Sequence, residues 1–406
     1  MILPEKDLRM RSERKDKKGV GNVFPVIFSA LGIAIIVIIV LLVTVLSMKR
    51  EMKPYLITNA TEEEIFVSEE KIQIYLPETY YVAAGLTMEI YNSQITNKCS
   101  YISDYNVRWI CDVGESLSRK YMIASTQEMI GDYVLKVEVY DTAMNLLAER
   151  STILKIVDPV LENSFSLLEI GDSLSCDGML YRRLQGLADN QIIFNGTRNI
   201  DGFLMEGRRG FSAEDYLGEI PYLIDEGEDC HPFYNPDTER FDWNYYRETT
   251  GFYPEVVQIF LGTNNILGES NVGDIVAIVD AIRADDIMTP IYVVNTIFQG
   301  SQNGLGSWKT KHGEYLSKGW NKHEQDLAVF NLMVDLSERL IGYDGLYLVP
   351  AGISMDSEYN YERVDLATNP YSENTEFYEV DPVHPNKAGY YQIADVMFST
   401  FCGTMQ

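Results

Sequence analysis

The sequence predicts an α/β protein built on a parallel sheet. A β-sandwich of immunoglobulin-like type should precede it, and a single membrane-spanning helix should precede the sandwich. Three observations carry this reading. An uncharged run of 26 residues, Val23–Met48, follows a basic start. Short alternating apolar stretches fill the region up to Asp158. From Ser164 onward, apolar runs ending in Gly or Asn alternate with helical patterns, the signature of strands laid parallel through helical crossovers.

Residues 1–22 carry seven Lys/Arg and four acids, a net of +3 in a chain whose total is −27. The run that follows is long enough to span a hydrocarbon core of about 30 Å as a tilted helix. It exceeds the roughly 7–15 residues of a signal-peptide core and lacks a small-residue cleavage pattern at Leu46-Ser47-Met48-Lys49. The basic excess before the span keeps the N-terminus inside, so everything after about residue 49 is expected on the outer side of the cell membrane. The expected divisions are a cytoplasmic tail (1–22), an anchor (23–48), a sandwich (49–160) and an enzyme-like domain (161–406).

With 33 Lys/Arg against 60 Asp/Glu, the surface repels phosphate backbones, which argues against a nucleic-acid partner. Five cysteines in 406 residues are too few for a disulfide scaffold. No C-x-x-C, H-E-x-x-H or Walker pattern occurs, so no metal or nucleotide cofactor is signalled.

In the sandwich region the expected strands are Lys71–Leu76, Thr87–Tyr91, Val107–Val113, Tyr133–Tyr140 and Ser151–Val157. Gly85, Asn97, Gly114 and Gly131-Asp132 serve as turn residues between them. Cys99 and Cys111 are spaced for neighbouring strands of a hairpin, and either a local disulfide or two buried thiols fits. The region holds no chemistry-bearing cluster and reads as a spacer or binding module.

In the second region the expected strands are Ser166–Ile170, Gln191–Phe194, Val256–Leu261, Ile291–Asn295 and Leu346–Val349. The helices are placed at Ile275–Ala284, Leu327–Ile341 and Ala388–Phe401. Parallel sheets bind ligands beyond the carboxyl ends of their strands, so functional residues are sought there. The first strand runs into Gly171-Asp172-Ser173-Leu174-Ser175, where a strand-to-helix turn can present the Ser173 hydroxyl and its N–H. The third ends in Gly262-Thr263-Asn264-Asn265, where an Asn amide can face developing negative charge. Between them, Glu206-Gly207-Arg208-Arg209-Gly210-Phe211-Ser212 offers a glycine N–H. Near the C-terminus comes Asp381-Pro382-Val383-His384-Pro385-Asn386. That spacing lets a carboxylate hold one imidazole nitrogen while the other faces a nucleophile. Of the four histidines, only His384 has an acid placed so directly.

The order of these four pieces resembles the SGNH/GDSL hydrolase family, over about residues 164–406. Gly171–Leu174 is similar to its first block, Gly210 to the second, Gly262–Asn264 to the third, and Asp381/His384 to the last. Asn265 departs from the Asp that many relatives carry there. The resemblance implies a flavodoxin-like three-layer α/β/α domain and a cofactor-free serine esterase. In that mechanism Ser173 attacks an ester carbonyl, His384 relays the proton and Asp381 orients the imidazole. The N–H groups of Ser173 and Gly210 and the amide of Asn264 hold the oxyanion.

The expected activity is removal of acyl groups, acetyl foremost, from an envelope or environmental carbohydrate. An acyltransferase on wall glycan would use the same residues, and an adhesion protein with a residual catalytic domain is the reading from another class. The aromatic-rich segment Phe233–Tyr253 could stack on sugars, though a packed insertion is the commoner use of such residues. The basic stretch Gly300–His323 could meet an anionic glycan or be a solvated loop.

Overall fold

The structure, a computed structural model, describes residues 71–218, 232–268, 271–300 and 322–405. The expected anchor 23–48 lies outside these residues, as does nearly all of the basic stretch after Gly300. Among the described residues no helix is long and apolar enough to cross a membrane. The described residues form one compact unit.

Seven strands build the N-terminal β-module. They are β1 (Thr79–Ala83), β2 (Thr87–Tyr91), β3 (Asn106–Ile110), β4 (Glu115–Ser116), β5 (Lys120–Ala124), β6 (Gly131–Tyr140) and β7 (Leu146–Val157). They form two sheets, ordered β1-β7-β6-β3 and β2-β5-β4. The module is not purely antiparallel, as the alternating pattern suggested: β1 pairs parallel to β7, with Thr79 opposite Ile153. The expected strand Lys71–Leu76 makes only a single bridge, Ile74 to Thr96. Its Gln73 and Tyr75 N–H groups donate to Asn97 Oδ1 (2.9 Å) and the Ile95 carbonyl (2.8 Å) beside that bridge, while the Ile74 carbonyl accepts from Arg150 Nη1 at 3.2 Å and the Tyr75 hydroxyl from Asn295 Nδ2 at 2.7 Å. Cys99 and Cys111 are not bridged. Cys99 is buried and its thiol donates to the Thr96 carbonyl at 2.7 Å.

The second part contains β8 (Phe165–Gly171), β9 (Ile192–Asn195), β10 (Arg198–Ile200), β11 (Phe203–Gly207), β12 (Tyr234–Asn235), β13 (Arg240–Phe241), β14 (Val256–Phe260), β15 (Ile291–Val294), β16 (Leu346–Val349), β17 (Tyr361–Ala367) and β18 (Thr375–Pro385). Its main sheet runs β10-β11-β8-β14-β15-β16, with β9 beside the first half of β8. All pairings from β9 and β11 across to β16 are parallel. Strands β8, β14 and β15 are nearly all apolar and buried, as expected where helices cover both faces. The order reverses at β8 and β14, so their carboxyl ends open the crevice where such sheets bind ligands. Two groups of helices pack together: Gly178–Leu187 with Lys387–Thr404, and Ala213–Leu217 with Asn271–Asp285, itself against Lys322–Arg339.

The two parts share a core. Ser399 Oγ, in the helix Lys387–Thr404, accepts the Ala83 N–H of β1 at 3.0 Å. On the same helix, Gly403 lies so close to the Tyr81 ring that a Cβ would sit 2.0 Å from a ring carbon.

Candidate active site

Strand β8 stops at Gly171, and the chain turns through Asp172 into the 3-10 turn Ser173–Ser175. Asp172 caps that turn, its Oδ1 accepting the Leu174 N–H at 2.8 Å, and its own N–H reaches the Phe260 carbonyl of β14 at 3.3 Å. Gly171 is required here because an added Cβ would lie 2.0 Å from Ser175 Oγ. The turn is thereby pinned between two strands, with the Ser173 side chain half-buried at its edge.

Asp381 and His384 come from β18, which pairs with β17 as an antiparallel hairpin. The sequence suggested a proline-stiffened loop, but the segment is a bulged strand. Glu362 faces Asp381 while its neighbour Tyr361 faces Pro385. Residues 382–384 are thus extra on one side, and a bulge of this kind re-aims a side chain. His384 Nε2 lies 2.8 Å from Ser173 Oγ, and His384 Nδ1 lies 2.7 Å from Asp381 Oδ2. The other Asp381 oxygen accepts the N–H groups of Val383 (2.9 Å) and His384 (3.1 Å). With Nδ1 donating to the carboxylate, Nε2 is left to accept the Ser173 hydroxyl proton.

Burial pushes the His384 pKa down, but the hydrogen bond and charge of Asp381, helped by Asp172, outweigh it and leave it above the ordinary 6.5. Burial pushes Asp381 up, and its bonds to His384 more than reverse that, so it stays below the usual carboxylate value. Asp172, wholly buried, is raised to about 7 chiefly by desolvation, with the Leu174 N–H and His384 pulling the other way.

The remaining expected residues lie close by. Strand β11 runs beside β8 with Gly207 opposite Gly171, and the Arg208 N–H donates to the Gly171 carbonyl at 2.9 Å. Gly210 follows at φ +80°, a conformation that favours glycine. Asn264, past β14, donates its Nδ2 to the Phe211 carbonyl at 2.9 Å. This ties the third block to the second, and the amide keeps its other N–H for a further acceptor.

Two buried clusters lie behind these blocks, and their pairings escaped the sequence reading, although Glu206 and Arg208 lie in a stretch it names. Ser175 Oγ donates to Glu169 Oε1 at 2.7 Å, and Gln258 Nε2 bonds the other oxygen. Glu169 is fully buried and its pKa is raised to about 7 by desolvation, against the lowering effect of those bonds. The signal was present: Glu169 and Gln258 are the lone polar residues in the middle of two apolar runs, and a polar group there must find a partner. They sit directly opposite each other in the β8–β14 register. In the second cluster Glu206 pairs with Arg208 at 2.9 Å and accepts from the Thr197 N–H (2.6 Å) and the Tyr246 hydroxyl (3.0 Å). Breaking such a buried pair by removing one partner costs about 3–5 kcal/mol.

The aromatic segment is a packed insertion. Phe233, Phe241, Trp243 and Tyr246 are buried, and their rings stack on one another; Tyr253 is exposed. Cys176 is buried behind the turn, its thiol donating to the Asp172 carbonyl at 3.4 Å. Among the described residues no three His, Cys, Asp or Glu side chains converge on a metal position.

No protein-family model matches the chain, and no curated protein does. Among solved structures, an acetyl esterase mutant with acetate ion is similar to it at 16% identity, with 59% of this chain and 98% of that one covered and a TM-score of 0.34. A Clostridium thermocellum family 3 carbohydrate esterase is similar at 17% identity, covering 58% and 93%, with a TM-score of 0.33. Likenesses at this level transfer neither fold nor function, and what this site can do rests on its own geometry.

Proposed function

We propose that the protein is a serine hydrolase that cleaves carboxylic esters, of the SGNH/GDSL type that its four sequence blocks resemble. The observation that carries this reading is the continuous contact Asp381–His384–Ser173, made between the turn after the first strand of the domain and its last strand. A hydroxyl held on a neutral imidazole nitrogen can lose its proton as it attacks a carbonyl carbon. Asp381 fixes the tautomer and stabilises the imidazolium that results. The tetrahedral oxyanion would be held by the N–H groups of Ser173 and Gly210 and by Asn264, donors typically worth about 3 kcal/mol each. Collapse expels the alcohol, which takes the proton from His384; water then repeats the sequence to free the acid. The substrate reading is an O-acetylated carbohydrate.

The test uses the full-length chain on p-nitrophenyl acetate. Ser173→Ala and His384→Ala should each lose at least about a thousandfold in kcat, the double variant being little worse, because the residues act as a unit. Asp381→Asn should cost less than either. A fluorophosphonate should label wild type and not Ser173→Ala. Wild-type turnover in folded Ser173→Ala protein would sink the proposal.

Residues 23–48 are read as a membrane anchor that leaves the enzyme on the outer face. Protease added to intact cells should then digest the region after residue 49, and protection until lysis would reverse that orientation.

A further inference from the structure

The β-module contains no member of the site, yet it grips one short segment of the α/β part, residues 354–359, again and again. Tyr80 and Ser354 share a hydrogen bond at 2.7 Å between their hydroxyls. Gln94, buried, donates its Nε2 to the Met355 carbonyl at 2.7 Å. Arg119 reaches Asp356 Oδ1 at 3.1 Å and Glu358 at 2.6 Å, and its guanidinium lies 4.7 Å from the centre of the Tyr359 ring.

The next two residues of that segment hold the chain just past His384. The Asn386 N–H donates to the Asn360 carbonyl at 2.8 Å, and Asn386 Nδ2 donates to the Tyr361 carbonyl at 3.3 Å. Tyr361 also closes the bulge opposite Pro385. A second tie runs through Gln392, in the helix that starts after Asn386. Its Oε1 accepts from the Asp356 N–H (2.8 Å) and from Asn360 Nδ2 (2.7 Å). Its Nε2 donates to Glu89 of β2 at 2.8 Å.

We infer that the β-module is a clamp for the proton-relay arm: Gln94 and Arg119 are positioning residues that fix 354–361, and this segment sets His384 against Ser173. Because Asp381 and His384 ride on one strand, loosening the clamp moves them together relative to the nucleophile. The loss should therefore fall on the chemical step rather than on substrate binding. The inference rests on the functional reading above, and the experiment separates the two.

In the full-length chain, Arg119→Met combined with Gln94→Leu should lower kcat on p-nitrophenyl acetate by about tenfold or more, with KM within about twofold of wild type. Amide exchange in the peptide spanning 381–390, which holds the clamped Asn386 N–H, should quicken by a similar factor. Arg119→Lys, which keeps a cation beside Asp356, should recover most of kcat. Lys136→Ala, which removes ion pairs internal to the module, should change neither readout. If the double variant does not fold, Arg119→Met alone decides. A folded variant with wild-type kcat and wild-type exchange at 381–390 overturns the clamp. If wild type cleaves no ester, the functional reading fails, and the exchange measurement alone still decides the clamp.

Discussion

His384 sits under opposed influences, and their balance sets a measurable pH dependence. Burial favours the neutral ring, while Asp381 and Asp172 favour the charged one and prevail. Below its raised pKa the ring is protonated and cannot accept the Ser173 proton. The acid limb of kcat/KM should therefore have its midpoint above 6.5, and Asp381→Asn should move that midpoint down. The stability that the charged ring gains from Asp381 has the complementary sign. It is fully present below the unfolded-state value and lost as pH rises through the folded one. A kcat/KM profile from about pH 5 to 9 checks the first statement, and a midpoint at or below 6.5 in wild type would contradict it. At this scale the sequence was most legible where partners are near in the chain, as with Asp381 and His384. The partners of Glu169 lie six residues away in one case and 89 in the other, and their meeting depends on strand register. A sequence shows that a lone acid in an apolar strand needs a partner, but does not show which neighbour supplies it.

Elements followed the sequence closely where hydrophobic period decided them. Thr87–Tyr91 and Leu346–Val349 have the expected bounds; the helices expected at Ile275–Ala284 and Ala388–Phe401 are present with extra residues at both ends, and that expected at Leu327–Ile341 starts earlier, at Lys322, and stops at Arg339. The hairpin β17–β18 was missed because Pro382 and Pro385 read as loop residues. Proline is tolerated in a strand at a bulge, where a ladder bond is already absent. The aromatic insertion shows the same dependence on packing. Four rings could have served sugar or core, and burial decides for core. Trp243→Ala should then cost about 3–5 kcal/mol in urea unfolding, with no selective loss of affinity for a sugar substrate. Tyr253→Ala, at an exposed ring, should stay within about 0.5 kcal/mol. A stable Trp243→Ala protein with weakened sugar binding would reverse the assignment.

For the whole molecule, reading the sandwich region as a spacer or binding module implies that a chain starting near Val160 would keep the site, since all four blocks follow Ser164. The shared core argues otherwise. The helix Lys387–Thr404 packs its buried face partly on β1, and removal of the β-module would expose that face. Such a truncation should bind a hydrophobic dye, lose sharp thermal unfolding and lack esterase activity. A well-folded active fragment would show that the module is dispensable. The composition of the two regions hid this dependence, because periodicity reports which residues are buried and not which element buries them. The same long-range closure has a consequence for how the protein is made. Ser173 and His384 are 211 residues apart in the chain. At about 5–20 residues per second, a ribosome takes roughly ten to forty seconds between the two. Through that interval the growing polypeptide carries a serine with no base to activate it. On the proposed chemistry, the nascent chain cannot attack esters in the cell that synthesises it until His384 has been made and has left the ribosome.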